Sequence, residues 1–445
     1  MRLPRPLLAI SGVTALVAAL LAPTSALAAT TAVTPNYGTP TAATGKTCPF
    51  VGTVPVSINV GSTPYGSSLP GMGGVILPGP EFPSVIYGEL CMTKQTLADA
   101  KRGRMPSVLV LVHGITYGTW YWDLPYEPER YSAVNYLIKR GYAVLNIDRL
   151  GDGRSGHPPS WLVTSATNAD TVHQLIEKLR GGELGGLSFQ HVGLVGHSYG
   201  TITTWRESAV YNDADLVIGT GYSDGVNPVT AGLFVSQARP ASQDPRTADE
   251  PWAQDPGYLQ PLPGVRGISQ LYHRANADPA VIALDDKLAN TVTGPELMTF
   301  TQSEFDGSRR NIRIPTFLIN GEFDNMVCGN NSEQCATDAD VNDGPAQLEK
   351  AAYRLQGWQG PVMSPQACFR SAVVPEAAHD INLHRNARQL YATIAYFADQ
   401  AMGPRGENAE SYRAACGPGD APLTDLVPHA NAPGLTPPPD LLTKP

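Results

Sequence analysis

Short, largely apolar runs recur along the chain between residues 107 and 375, and stretches of helical spacing separate them. Val108–Val112, Tyr142–Ile147, Val192–Val195, Leu216–Gly219, Thr316–Ile319 and Ala372–Val374 are rich in strand-forming residues and continuous rather than alternating in their apolarity. Continuous apolarity over four to six residues marks strands covered on both faces, as in a parallel sheet between layers of helices. Between these runs, residues 131–140, 168–180, 201–212, 345–355 and 386–401 carry helical spacing. The alternation predicts an α/β architecture with a mostly parallel central sheet flanked by helices.

The alternation breaks twice. Residues 50–92 intersperse β-branched residues with Gly and Pro, which reads as hairpins or an irregular collar at the sheet's edge. The Gly-rich run at 71–74 lacks the following Lys and Ser or Thr of a phosphate loop, so it reads as a turn. From 227 to 310, Pro, Gln, Asp and short helical candidates such as 279–288 replace convincing buried strands. A stretch of that length is better read as a cap inserted over one end of the sheet than as a disordered loop. The chain thus divides into 1–28, a leader and β-rich extension at 29–104, a core at 105–226 and 311–402, the cap, and a Pro-rich tail at 403–445.

Residues 1–28 have the form of a secretory signal peptide. Arg2 and Arg5 precede an apolar run from Leu7 to Leu21, and Ala26-Leu27-Ala28 offers a small-residue cleavage site. A membrane anchor is the rival reading, weakened by Ser11, Gly12 and Thr14 within the run. Six cysteines remain beyond it, Cys48, Cys91, Cys328, Cys335, Cys368 and Cys416. An even number in an exported chain suggests disulfides, with Cys328–Cys335 the first pair and Cys48–Cys91 and Cys368–Cys416 following. Scattered free thiols are the alternative. No cysteine or histidine spacing suits zinc, and a net charge of −9 lacks the basic face that a nucleic-acid partner requires.

The chemistry concentrates in Gly196-His197-Ser198-Tyr199-Gly200, which stands between a strand run and a helix run. In that context G-x-S-x-G is a sharp turn that lifts a serine hydroxyl above the sheet. Serine needs an imidazole to take its proton and a carboxylate to orient the imidazole. Asp324 and His379 each follow a strand run, so both arrive at the strand ends where α/β sheets place their sites. Asp224 and Glu322 are rival acids, with Asp324 placed ahead of both. His384 is expected in the following helix, facing away, and His197 is expected to bond locally within the turn. His157, His173, His191, His273 and His429 follow no strand run and take ordinary surface or core roles. An oxyanion needs preorganised donors. The Tyr199 and Ile115 N–H groups are the candidates, with Thr116 as the alternative to Ile115.

The motifs LVHGI at 111–115, DRLGDGRSG at 148–156, GHSYG at 196–200, INGEFD at 319–324 and PEAAH at 375–379 resemble those of the α/β-hydrolase superfamily, over roughly residues 105–400. The resemblance implies an oxyanion donor in the first motif and Ser198, Asp324 and His379 as nucleophile, acid and base. It points to a secreted, esterase- or lipase-like member. Relatives that attack saturated carbon carry aspartate at the elbow, so serine here favours a carbonyl substrate. The family also contains amidases, thioesterases, carbon–carbon hydrolases, acyltransferases and cofactor-free lyases.

Tyr117, Trp120, Tyr121 and Trp122 follow the oxyanion loop. They either wall a pocket for an apolar acyl group or pack against the cap. The expected activity is cleavage of carboxylic esters of a hydrophobic small molecule or lipid, without metal or organic cofactor and without stable membrane insertion. The alternatives are acyl-transfer, cyclase or lyase chemistry in the same pocket, or a binding protein with a vestigial site. Activity should fall as pH drops through an imidazole pKa near 6.5 if unperturbed.

Overall fold

The computed structural model describes residues 45–60, 79–267, 270–300, 306–329, 333–335 and 344–415. The signal segment, the Gly-rich run at 71–74, His429 and Cys416 lie outside the described residues. Eleven strands are present among them: β1 (Lys46–Asn59), β2 (Glu81–Thr93), β3 (Val108–Val112), β4 (Ala143–Ile147), β5 (Val192–His197), β6 (Leu216–Thr220), β7 (Ala238–Pro240), β8 (Tyr258–Pro261), β9 (Val292–Thr293), β10 (Thr316–Gly321) and β11 (Arg370–Val374). Eight of them form one sheet in the order β1-β2-β4-β3-β5-β6-β10-β11. From β4 to β11 every neighbouring pair is parallel, while β1 and β2 add an antiparallel edge.

The two strand patterns follow from burial. All residues of β3, β4, β6 and β11 are buried, so nothing forces alternation. In β1 the core receives Val54, Val56 and Ile58 at alternate positions, the period of a strand wet on one face. A Cys48–Cys91 disulfide ties β1 to β2. Cys328 and Cys335 form the second described pair, and Cys368 is also disulfide-bonded.

Helices α1 (Ala133–Lys139), α2 (Ser165–Gly181), α3 (Tyr199–Val210), α4 (Gly344–Gln359) and α5 (Ala387–Ala401) flank the large sheet. Helix α3 packs on β5 and β6, α4 on β11, and α5 on α1. The region read as a Pro-rich tail opens with a helix, Ala409–Ala415, that packs against α5.

The segment between β6 and β10 contains helices Pro228–Ser236, Pro279–Leu288 and Gly294–Thr299. It also holds a small antiparallel sheet, β7-β8-β9, where no convincing strand was expected. These strands have only 3, 4 and 2 residues, and two of them end in proline, too short for a period to register. No helix among the described residues is long and apolar enough to cross a membrane.

The strand order positions the site. The chain runs from β3 outward to β4 and then returns to pair β5 on the other side of β3. A crevice opens at the carboxyl ends where connections diverge in this way, and α/β sheets bind ligands there. The loop after β3, the turn after β5 and the loops after β10 and β11 all leave the sheet at that edge.

Candidate active site

Ser198 occupies the turn between β5 and α3 with φ 52° and ψ −118°, a backbone state costing an L-residue of order 1–3 kcal/mol. The surrounding packing enforces it. A Cβ on Gly196 would lie 2.3 Å from the Gly200 carbonyl oxygen, and one on Gly200 would lie 2.2 Å from that of Val112. Both obstacles are backbone and cannot swing aside. Gly200→Ala is therefore expected to cost about 4 kcal/mol or more of stability, or to abolish soluble expression. Urea unfolding of the purified variant checks this, and a loss below about 1 kcal/mol would contradict the packing account.

The Ser198 Oγ lies 2.9 Å from His379 Nε2, and His379 Nδ1 lies 3.0 Å from Asp324 Oδ2. The other Asp324 oxygen accepts the Met326 and Val327 N–H groups at 3.0 and 3.2 Å, which fixes the carboxylate plane. Ser198 is 3% exposed, His379 2% and Asp324 0%. Burial pulls the His379 imidazole down most strongly, but the Asp324 charge and hydrogen bond, joined by the Asp380 charge, outweigh it and hold the group above its ordinary 6.5.

The rival residues have other partners. Asp224 pairs with Arg309 at 2.7 Å, and Glu322 accepts the Glu376 N–H at 2.9 Å. His384 departs from expectation. It precedes α5 rather than lying in it, and it is buried beneath the His379 loop, where its Nε2 accepts the Ala378 and His273 N–H groups and its Nδ1–H donates to the Asp380 carbonyl. Both ring nitrogens are spent on bracing that loop. His197 bonds Thr220 Oγ1 at 3.1 Å, as a local role requires, and burial followed by the nearby His379 drives its pKa well down.

The loop after β3 has a defined polarity. His113 Nε2 accepts the Arg149 N–H at 2.9 Å, so its Nδ1 carries the proton and donates to the Gly114 carbonyl at 2.7 Å. In a trans peptide the N–H opposes the carbonyl, so the Ile115 N–H points away from His113. Gly114 sits against Ser198, whose Cβ would lie 3.1 Å from a Cβ placed on the glycine. The Thr116 N–H is spent on the Thr291 carbonyl at 3.0 Å, which removes it as the alternative donor.

Tyr117, Trp120, Tyr121 and Trp122 are all buried in one cluster. Tyr117 touches Trp120 and Tyr121, Tyr121 touches Trp122, and Tyr121 stacks on His197 with centroids 4.3 Å apart. The Tyr117 hydroxyl donates to Asp380 Oδ2 at 2.7 Å. Burial, against the opposing pull of His379 and Arg266, pushes Asp380 up to about 6.

Sequence reasoning overlooked three buried charges around this centre. Arg149 forms ion pairs with Asp152 at 2.7 Å and Glu296 at 2.5 Å, and its guanidinium lies over the Tyr199 ring. Arg266 pairs with Asp285 at 3.2 Å, and Asp380 directly follows His379. A lone charge in a polar stretch carries no local signal of burial. The presence of DRLGDGRSG was the one hint for Arg149.

Among the described residues, one group has metal-ligand proximity: His173, Glu207 and Asp213, near the end of α3 opposite Ser198. Burial, reinforced by the neighbouring Asp213 carboxylate, raises the Glu207 carboxyl well above the carboxylate range, and Asp213 meets His173 Nδ1 at 2.8 Å.

The model of the alpha/beta hydrolase family matches residues 109–393, more than half of the chain. The chain belongs to the alpha/beta hydrolase family. The parallel part of the sheet, the turn at Ser198 and the loops after β3, β10 and β11 fall within the matched residues, while the antiparallel edge strands β1 and β2 precede them.

Among solved structures, this hydrolase is similar to a thermophilic esterase from Thermogutta terrifontis, at 17% identity over 71% of this chain and 93% of that one, with a TM-score of 0.44. It is also similar to a monoacylglycerol lipase from Paleococcus ferrophilus, at 15% identity over 65% and 93%, TM-score 0.40. A third is E-2-(acetamidomethylene)succinate hydrolase, at 17% identity over 71% and 96%, TM-score 0.39. No curated protein matches the chain.

Proposed function

We propose that the protein is an exported serine hydrolase that cleaves carboxylic esters of a hydrophobic small molecule or lipid. The observation that carries this reading is the continuous relay from Ser198 Oγ through both nitrogens of His379 to Asp324. In the cycle, His379 Nε2 takes the Ser198 proton as the hydroxyl attacks the ester carbonyl, and Asp324 stabilises the imidazolium that forms. The Ile115 and Tyr199 N–H groups receive the developing oxyanion. His379 then protonates the departing alcohol, and water repeats the sequence on the acyl-enzyme. Tyr121 and Trp122 are packed within the buried aromatic cluster beside the centre, and Tyr117 and Trp120 are the proposed flank of an apolar acyl group. Disulfides support export to an oxidising compartment.

A fluorophosphonate probe tests the reading directly: Ser198 should be the labelled residue, and an unlabelled protein would end the proposal. A series of p-nitrophenyl esters of graded acyl length then defines the substrate class.

The reaction needs neutral His379, so activity is lost as pH falls through its pKa. Because Asp324 and Asp380 hold that group above 6.5 against the effect of burial, the acid limb of kcat/KM should have its midpoint above 6.5. Asp380→Asn should move the limb to lower pH. A wild-type midpoint at or below 6.5 would contradict the electrostatic account.

A further inference from the structure

At Thr116 the loop that carries the Ile115 N–H has one side-chain bond of its own, from the hydroxyl to the Ile115 carbonyl at 2.6 Å, and takes the rest of its support from elsewhere. Thr116 has φ 65°, in the left-handed region that β-branched residues avoid. Such a residue persists only when its surroundings over-determine it. The constraints come from the segment between β6 and β10. The Thr116 carbonyl accepts the Asn290 N–H at 2.8 Å and Arg266 Nη2 at 2.9 Å, and its hydroxyl also accepts from Arg266 Nη2, at 2.8 Å. The Thr116 N–H meets the Thr291 carbonyl, and Asn290 Nδ2 donates to the Tyr117 carbonyl at 3.0 Å.

Arg266 is the hub of this arrangement. Fully buried, it pairs with Asp285, lies 4.5 Å over the Tyr117 ring and approaches the Tyr117 hydroxyl at 3.3 Å. That hydroxyl holds Asp380, the residue after His379. One side chain therefore reaches both the loop that presents the Ile115 N–H and the loop that presents His379.

We propose that Arg266 is a positioning residue that makes the oxyanion loop dependent on the segment between β6 and β10, so that donor geometry is complete only while that segment is closed on the core. The proposal rests on the serine-hydrolase reading. Ser198 and His379 are almost wholly covered, and on this proposal the segment between β6 and β10 is the part that moves to admit an ester. If the Arg266 contacts part in that movement, the oxyanion loop relaxes, and closure over bound substrate restores it. Acylation is thereby confined to the closed, water-poor state.

The experiment compares Arg266→Gln with Arg266→Lys and with the double variant Arg266→Gln/Asp285→Asn, which leaves no unpaired buried carboxylate. Each is assayed for kcat, KM, fluorophosphonate labelling of Ser198 and amide hydrogen exchange across residues 113–121. Loss of one oxyanion donor lowers kcat by about 10²-fold or more, so Arg266→Gln should lower kcat by about 10²-fold with KM changed less than about threefold. Lysine should recover part of that loss, and exchange across 113–121 should rise.

A cycle with Thr116→Gly gives a readout that a merely structural role would not move. Glycine accepts a positive φ without support, so Arg266→Gln should cost much less in that background. Folded Arg266 variants with wild-type kcat, or with only KM raised, would overturn the proposal while leaving the hydrolase reading intact. A wild type that neither labels nor turns over ester would remove that reading, and this proposal with it. Should the single variant fail to fold, the double variant and Arg266→Lys carry the same comparison.

Discussion

Replacement of Ser198 by alanine is expected to lower kcat for a p-nitrophenyl ester by roughly 10⁵- to 10⁶-fold, with KM little changed. The substitution keeps Cβ and removes only the oxygen that His379 Nε2 approaches at 2.9 Å, so the fold has no reason to fail. Thr116, the other hydroxyl residue held at positive φ in the neighbouring loop, does not take over, because its oxygen is engaged with the Ile115 carbonyl and Arg266 Nη2. His379→Ala should cost about as much, and the double variant scarcely more, since nucleophile and base act as one unit. The residual rate would come from the oxyanion donors and substrate binding. Single-turnover assays on protein free of wild-type contamination make the measurement. A Ser198→Ala enzyme within about tenfold of wild type would show that the hydroxyl is not the attacking group.

What could be read from the letters is what repeats locally. The six parallel strands were legible because strands buried on both faces, such as Val108–Val112, show as unbroken apolar runs. The elbow was legible because two glycines must flank a strained serine, and both meet backbone within 2.3 Å of where a Cβ would stand. Cys48–Cys91 and Cys328–Cys335 were legible as pairs because each closes on a neighbouring segment.

The rest depends on contacts between residues far apart in sequence. Arg266 lies 150 positions from Thr116, and Arg149 lies 147 from Glu296. Neither pairing leaves any periodic trace. His384 was misplaced because it stands just ahead of the run at 386–401 that carries helical spacing and was assigned to that helix, which begins at Ala387. The turn ahead of that helix instead folds the imidazole under Ala378. Polar residues that brace a site look, in sequence, like polar residues on a surface.

Asp324→Asn separates a carboxylate that merely fills space from one that sets the histidine tautomer. Asp324 accepts from three N–H groups, those of Met326, Val327 and His379 Nδ1. An asparagine offers one acceptor oxygen and one NH₂ group in the same plane. If the oxygen stays on Met326 and Val327, the NH₂ faces His379 Nδ1 and forces the proton onto Nε2, where it can no longer accept from Ser198. If the amide flips, the NH₂ confronts two backbone donors and the loop after β10 must shift.

Either outcome should lower kcat by roughly 10⁴-fold near neutral pH. Because Asp324 is also what raises the His379 pKa, the acid limb of the residual activity should move to lower pH. Asp224→Asn is the control: its carboxylate faces Arg309, so kcat should stay within about threefold while unfolding of the variant reports the weakened ion pair. A crippled Asp224→Asn beside a mild Asp324→Asn would reassign the orienting acid. It would require the imidazole to turn toward the end of β6, breaking the 3.0 Å contact on which the proposed relay depends.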